Sequence, residues 1–200
     1  MKYLEFYKSL SRHIDLPLEA YLAFEEMVIV KKIENREFLI REGETISYLP
    51  FINEGLLANY RTDKNGDIHV IQIEWTGGWL GDLYSFFSRK PSMLNIVAYK
   101  STELLLINRE AFDNITQQYP IYERFFRLAI QNAYIGTLTK VYSLYSTSAE
   151  ERYLDLIKNA PTILDEIPHY MIASFLNIKP QSLSRIRKKI KSLSDMNIGE

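Results

Sequence analysis

The period of the apolar residues changes twice along this chain, and this limits its possible folds more than any other feature. The first thirty residues are spaced for helix. Leu4, Tyr7, Leu10 and Ile14 form one run, and Leu18, Tyr21, Leu22, Phe24 and Met27 a second, with Pro17 splitting them. From Val28 to Leu106 short β-rich runs take over, at 28–33, 37–40, 48–53, 56–61, 68–75, 96–99 and 103–107. Glu54-Gly55 and Asp63-Lys64-Asn65-Gly66-Asp67 are turn signals between them. Strands at this spacing predict an antiparallel sandwich or roll. Gly77-Gly78 and Gly81-Asp82 break the pattern, and a short helix is expected over 83–87. The helical period then returns at Asn108. Residues 121–145 hold no proline and one glycine, and Tyr122, Phe126, Ala129, Ala133, Thr137, Val141 and Leu144 step by three or four. That is a long helix with one apolar stripe, about 37 Å at ~1.5 Å per residue. Ser148 and Glu151 have the spacing of a capping box for a following helix, which Ala160-Pro161 stops.

Residues 169–190 fit a helix-turn-helix. Two helices crossed over a tight turn need a small residue at the contact and a residue tolerant of positive φ in the turn. They also need apolar residues on both inner faces. Ala173 is the small residue, flanked by Ile172 and Leu176. Asn177 takes the turn, as one of the few residues besides glycine that visit left-handed space. Ile178 plugs it, Leu183, Ile186 and Ile190 form the inner face of the second helix, and Pro180 suits that helix's first turn. The outer face carries Gln181, Ser184, Arg185 and Lys188. Glutamine pairs with adenine and arginine with guanine in the major groove. Lys179, Ser182, Arg187, Lys189 and Lys191 are placed for phosphates. Lys179 stands where an N-cap belongs and is a poor cap, so Gln181 or a DNA phosphate would have to serve.

Charge favours the same end. Residues 167–194 contain six basic residues and no acid, leaving 18 basic against 25 acidic elsewhere, a balance of −7. A basic end on an acidic body fits a polyanion at one end. A plain amphipathic helix pair with a solvated basic face is the alternative, and the joint fit at the small, turn and plug positions favours DNA. There is no cysteine, which excludes disulfides, thiolate metal sites and cysteine nucleophiles. The mixed N-terminus does not read as a signal peptide, and no apolar run of about 18 residues predicts a membrane span.

With a β-roll and one long helix ahead of that motif, the whole chain resembles the Crp/Fnr family of bacterial regulators. The stretch from Ser148-Ala149-Glu150-Glu151-Arg152-Tyr153 to Arg185-Ile186-Arg187-Lys188-Lys189-Ile190 is similar to the variant common in Bacteroidetes. The resemblance implies an α+β chain in three parts. These are a cyclic-nucleotide-binding-like jelly roll over 1–118, a dimerisation helix over 119–146 and a winged-helix/helix-turn-helix DNA-binding domain over 147–200. Ten residues follow Ile190, so a wing is short or precedes the helix pair. Members that bind cyclic AMP share a Gly-Glu-Leu turn, whose glutamate holds the ribose hydroxyl, and an Arg-Ser pair, whose arginine holds the phosphate. Here Gly81-Asp82-Leu83 matches with a shorter acid, and Lys90-Pro91-Ser92-Met93 lacks the arginine, with Arg89 and Lys90 out of register. Gly81, Asp82, Leu83 and Ser92 are therefore the candidate effector residues. A lost bidentate guanidinium–phosphate contact argues against cyclic AMP, and a purely structural turn is the alternative.

Phe126, Ala129, Ala133, Thr137 and Val141 are the expected dimer contacts, unless that stripe packs on its own roll. The resemblance thus implies a cytoplasmic homodimer on double-stranded DNA, with half-sites about 10 bp apart. RNA polymerase and an unidentified small-molecule effector are the further partners expected, and no membrane. A second reading keeps the roll as a sensor and gives the helical C-terminus to protein contacts. No cofactor, metal or catalytic role is expected. His13, His69 and His169 lie in separate segments, and only His69 suits a haem, though an exposed strand histidine is the simpler reading. Asp63, Asn65 and Asp67 lack the rest of a calcium loop, and a hairpin turn explains them. The aromatic stretch Trp75, Trp79, Tyr84, Phe86 and Phe87 reads as core or as a pocket lining.

Overall fold

The computed structural model describes residues 1–197, with side chains through Ser192. Two helices, α1 (Leu4–Ser11) and α2 (Leu18–Met27), precede the strands β1 (Ile29–Ile33), β2 (Phe38–Ile40), β3 (Tyr48–Glu54), β4 (Leu56–Thr62) and β5 (Ile68–Trp75). Helix α3 (Leu83–Ser88) leads to β6 (Asn95–Ala98) and β7 (Thr102–Asn108). Then follow α4 (Arg109–Gln118), α5 (Ile121–Ser146), α6 (Ala149–Asn159), α7 (Ile163–Glu166), α8 (His169–Phe175) and α9 (Pro180–Asn197). The alternation of apolar residues thus yields the seven expected strands, each within a residue of the predicted ends. The chain divides into two compact units, residues 1–61 with 71–136, and residues 62–70 with 137 onward.

The first unit is an α+β roll of two antiparallel sheets, ordered β1-β7-β3 and β2-β6-β4-β5. Its core is dominated by aromatic rings. Trp79 lies 5.2 Å from Phe51 and 6.2 Å from Phe126, and Phe126 lies 4.6 Å from Phe112, all tilted or edge-on as ring quadrupoles prefer. The Trp79 indole donates to Ser9 Oγ at 3.0 Å, so its one polar atom is satisfied. Phe86 is fully buried, whereas Tyr84 and Phe87 stand exposed. The aromatic stretch of the sequence is therefore partly core and partly surface.

Local signals are met by local bonds. Asn108 caps α4 through the Ala111 N–H, and Ser148 and Glu151 close a full capping box on α6. Asp63 accepts the N–H of Asn65 at 2.8 Å and of Asp67 at 3.0 Å, and its other oxygen meets His69 Nε2 at 2.9 Å. These bonds, His69 first, hold its carboxyl below the usual carboxylate range. The acidic cluster is thus a hairpin turn, and His69 is occupied within it. No strand follows β7 among the described residues. A wing was expected to be short or to precede the helix pair; before that pair stands α7, with Ile163 fully buried.

Gly55 joins β3 to β4 at φ +120°, and a Cβ there would come within 2.7 Å of the Thr102 backbone. Left-handed strain and this close approach act together, so Gly55→Ala should cost about 3 kcal/mol. The urea midpoint should fall with an unchanged m-value.

Candidate nucleic-acid interface

Helices α8 and α9 meet as the sequence spacing demands. Ala173 is fully buried at the crossing, and Asn177 takes φ 55° in the turn. The Ile178 N–H returns to the Ala173 carbonyl at 2.9 Å, closing the α8 end. Met171, Ile172, Leu176 and Leu183 fill the inner faces. Of these, Met171 lies outside the residues that sequence spacing singles out.

The outward face of α9 presents Gln181, Ser184, Arg185 and Lys188 to solvent. Arg185 Nη2 donates to Ser182 Oγ at 3.3 Å, which steadies the guanidinium along the helix. The Ser184 hydroxyl donates to the Pro180 carbonyl at 3.2 Å, so its lone pairs point outward as acceptors. Lys179 and Arg187 are exposed on the flanks. Lys189 is drawn into an ion pair with Glu150 at 2.7 Å. An exposed pair of this kind is worth about 0–1 kcal/mol, so a phosphate competes for Lys189 at little cost.

Three further residues organise this unit without any motif to announce them. Arg152, in the first turns of α6, sends Nε to the Leu176 carbonyl at 3.3 Å. Its Nη1 reaches the Ser143 carbonyl at 3.4 Å and the Thr147 carbonyl. Lys140 on α5 places Nζ 3.8 Å from the centre of the Phe175 ring and donates to the Val70 carbonyl at 3.3 Å. Ser174 Oγ donates to the Ile68 carbonyl at 2.5 Å and accepts the Val70 N–H at 2.9 Å. A cation near a helix N-terminus opposes the helix dipole, and that was the available sign that Arg152 serves other helices.

The candidate effector residues meet one another. Asp82, 5% exposed, caps α3 through the Ser85 N–H at 3.1 Å, and its second oxygen accepts the Ser92 hydroxyl at 2.7 Å. Gly81 lies under Pro50, where a Cβ would approach its ring to 2.8 Å. Leu83 is exposed, as are Arg89 and Lys90, and Arg89 terminates α3 in left-handed conformation at φ 59°. Both carboxylate oxygens are therefore engaged within the fold. Asn59, which sequence spacing did not mark, is 2% exposed, and its Oδ1 has no partner. It pairs with Ile96 across β4 and β6, beside Leu57 and Ala98, which belong to the core, so it faces the roll interior.

The expected dimer stripe divides. Phe126 is 6% exposed in the aromatic core and Ala129 packs against that core, whereas Ala133, Thr137 and Val141 face outward. Ile130, Tyr134, Tyr142 and Tyr145 are exposed on the same helix. No group of metal-binding residues occurs among the described residues. No helix there is long and apolar enough to cross a membrane.

Residues 30–119 match the family of cyclic nucleotide-binding domains. No curated protein sequence matches the chain. Solved structures share its fold. The catabolite activator protein of Thermus thermophilus is 18% identical, with TM-score 0.59, over 93% of this chain and 88% of that one. The c-di-GMP responsive global regulator CLP of Xanthomonas campestris is 12% identical, with TM-score 0.72, over 89% of this chain and 93% of that one. FixK2 of Bradyrhizobium japonicum is 14% identical, with TM-score 0.69, over 84% of this chain and 86% of that one. The matched segment runs from β1 through α4 and includes Asp82 and Ser92.

With Asp82 and Ser92 engaged and no arginine in register, titration calorimetry with cyclic AMP and cyclic GMP should show no binding at micromolar concentration. Micromolar binding of either would overturn that reading. Lys140 yields a second outcome. Burial pulls its pKa from 10.5 down to about 8. Below about 8 it is charged in both folded and unfolded chains. Between there and 10.5 the unfolded chain holds the extra proton, so this group makes stability rise with pH across that window. Denaturation of the native chain and of Lys140→Met at several pH values should show the rise in the native chain only.

Proposed function

We propose that the chain is a DNA-binding transcription regulator of the Crp/Fnr type, acting as a homodimer on a near-palindromic site. The observation that carries this reading is the basic α9, acid-free from Pro180 to Ser194, with Gln181, Ser184, Arg185 and Lys188 on one exposed face of the helix pair α8–α9. Gln181 and Arg185 read base edges in the major groove. Lys179, Ser182, Arg187, Lys189 and Lys191 make or flank phosphate contacts. Dimerisation uses the exposed stripe of α5, with Ile130, Tyr134, Ala133, Thr137 and Val141, and without Phe126. The roll is the sensor part. Its effector is not cyclic AMP, and the unpartnered Asn59 oxygen is the open acceptor inside it. The protein works in the cytoplasm, has no catalytic role, and engages RNA polymerase as its output.

Phosphate neutralisation releases counterions, so duplex binding should weaken steeply as salt rises. Arg185→Ala should lose about 1–3 kcal/mol on a site selected from random duplexes and less on unselected DNA. Equal losses on both would reassign Arg185 to phosphate. Failure to bind any duplex at low salt would move the C-terminal helices to protein contacts.

A further inference from the structure

We propose that Arg152, Lys140 and Ser174 are positioning residues that fix the helix pair on the end of α5 and thereby set the spacing of the two DNA half-sites. This rests on the DNA-binding dimer proposed above. A reading helix supplies base contacts, but the distance between two such helices depends on how rigidly each is carried. Only Thr147 and Ser148 separate α5 from α6, and the capping box of Ser148 and Glu151 fixes that short entry. Arg152 then turns back from α6 to the carbonyls of Ser143 and Thr147, where α5 ends, and of Leu176, where α8 ends. Helix C-termini carry partial negative charge and unsatisfied carbonyls, and the guanidinium's rigid fork serves both at once.

The remaining contacts fall on the residues just before Leu176. Lys140 of α5 stacks its charge on Phe175, a favourable arrangement for a cation removed from water. Ser174 grips the Ile68 carbonyl and the Val70 N–H, while Lys140 takes the Val70 carbonyl. Three successive residues at the end of α8, Ser174, Phe175 and the capping Leu176, are thus held from β5, α5 and α6, immediately before the left-handed turn at Asn177. None of these bonds involves the outward face of α9, so the reading residues stay free. This arrangement suits residues that aim a reading helix without touching DNA.

The test uses the full chain and a duplex selected by the native protein, then the same duplex with one base pair added to or removed from the centre. Fluorescence anisotropy should show the native protein losing about tenfold in affinity on each shifted duplex, the scale of a mismatched base pair. In Arg152→Lys and Lys140→Met the loss should shrink below about threefold, because a point charge or an apolar chain cannot hold both helix ends. Preference for the half-site sequence should remain native. Gln181→Ala should do the reverse, losing sequence preference and keeping spacing preference. A fall in melting temperature with native spacing discrimination would make these residues merely structural and overturn the proposal. Should Arg152→Lys fail to fold, Ser174→Ala carries the same comparison. If the native chain binds no duplex, the DNA reading fails first. If it binds and all three variants discriminate as the native chain does, only the positioning role falls.

Discussion

A helix that stops inside a folded unit leaves carbonyls that need donors, and here the ends of α5 and α8 converge on the single guanidinium of Arg152. Much of the second unit follows from that convergence. Helix α8 stops at Leu176, Asn177 turns left-handed, and α9 restarts at Pro180 with its inner face against Ala173. An ionised donor makes bonds about twice as strong as neutral ones, and a planar fork fixes direction as well as energy. Among the described residues, the exposed basic face of α9 makes the Lys189–Glu150 pair and the Arg185–Ser182 bond.

The first unit depends on a different economy. Its interior is an aromatic mosaic around Trp79, and its most suggestive polar pair, Asp82 and Ser92, is joined within the fold. The segment that matches the cyclic nucleotide-binding domain family thus uses its Gly81-Asp82 turn for helix capping and loop closure. Among the described residues, Asn59 Oδ1 is the buried side-chain acceptor left without a partner. In a packed interior an unmatched amide oxygen costs about 1–3 kcal/mol, which makes it the polar atom with most to gain from a donor.

How much was legible in the sequence depended on the range of the interaction. Bonds closed within a few residues left clear marks. Examples are the capping box of Ser148 and Glu151, the Asp63 turn that sets β5 at Ile68–Trp75, and Asn177 in its left-handed well. The periodic stripe of α5 was visible too, but which neighbours it meets was not. Phe126 and Val141 share a stripe in the sequence, yet one is core and the other exposed, because periodicity records a face and not what covers it. Asp82 and Ser92 stood in the sequence as candidate effector residues or as parts of a structural turn, and their mutual bond across ten residues has no local signature. Ser174 and Lys140 were invisible for the same reason, since their partners Ile68 and Val70 lie far back in the chain.

The bond pattern of Ser174 has one more consequence. Strand β5 is the outer member of its sheet, and an outer strand normally presents unpaired backbone groups to any other chain. By offering one hydroxyl as donor to Ile68 and acceptor to Val70, Ser174 imitates the next strand for two backbone groups. The side chain therefore works as a guard against unwanted strand addition. The backbone groups of Ile68 and Val70 are thereby closed to another chain through a single oxygen.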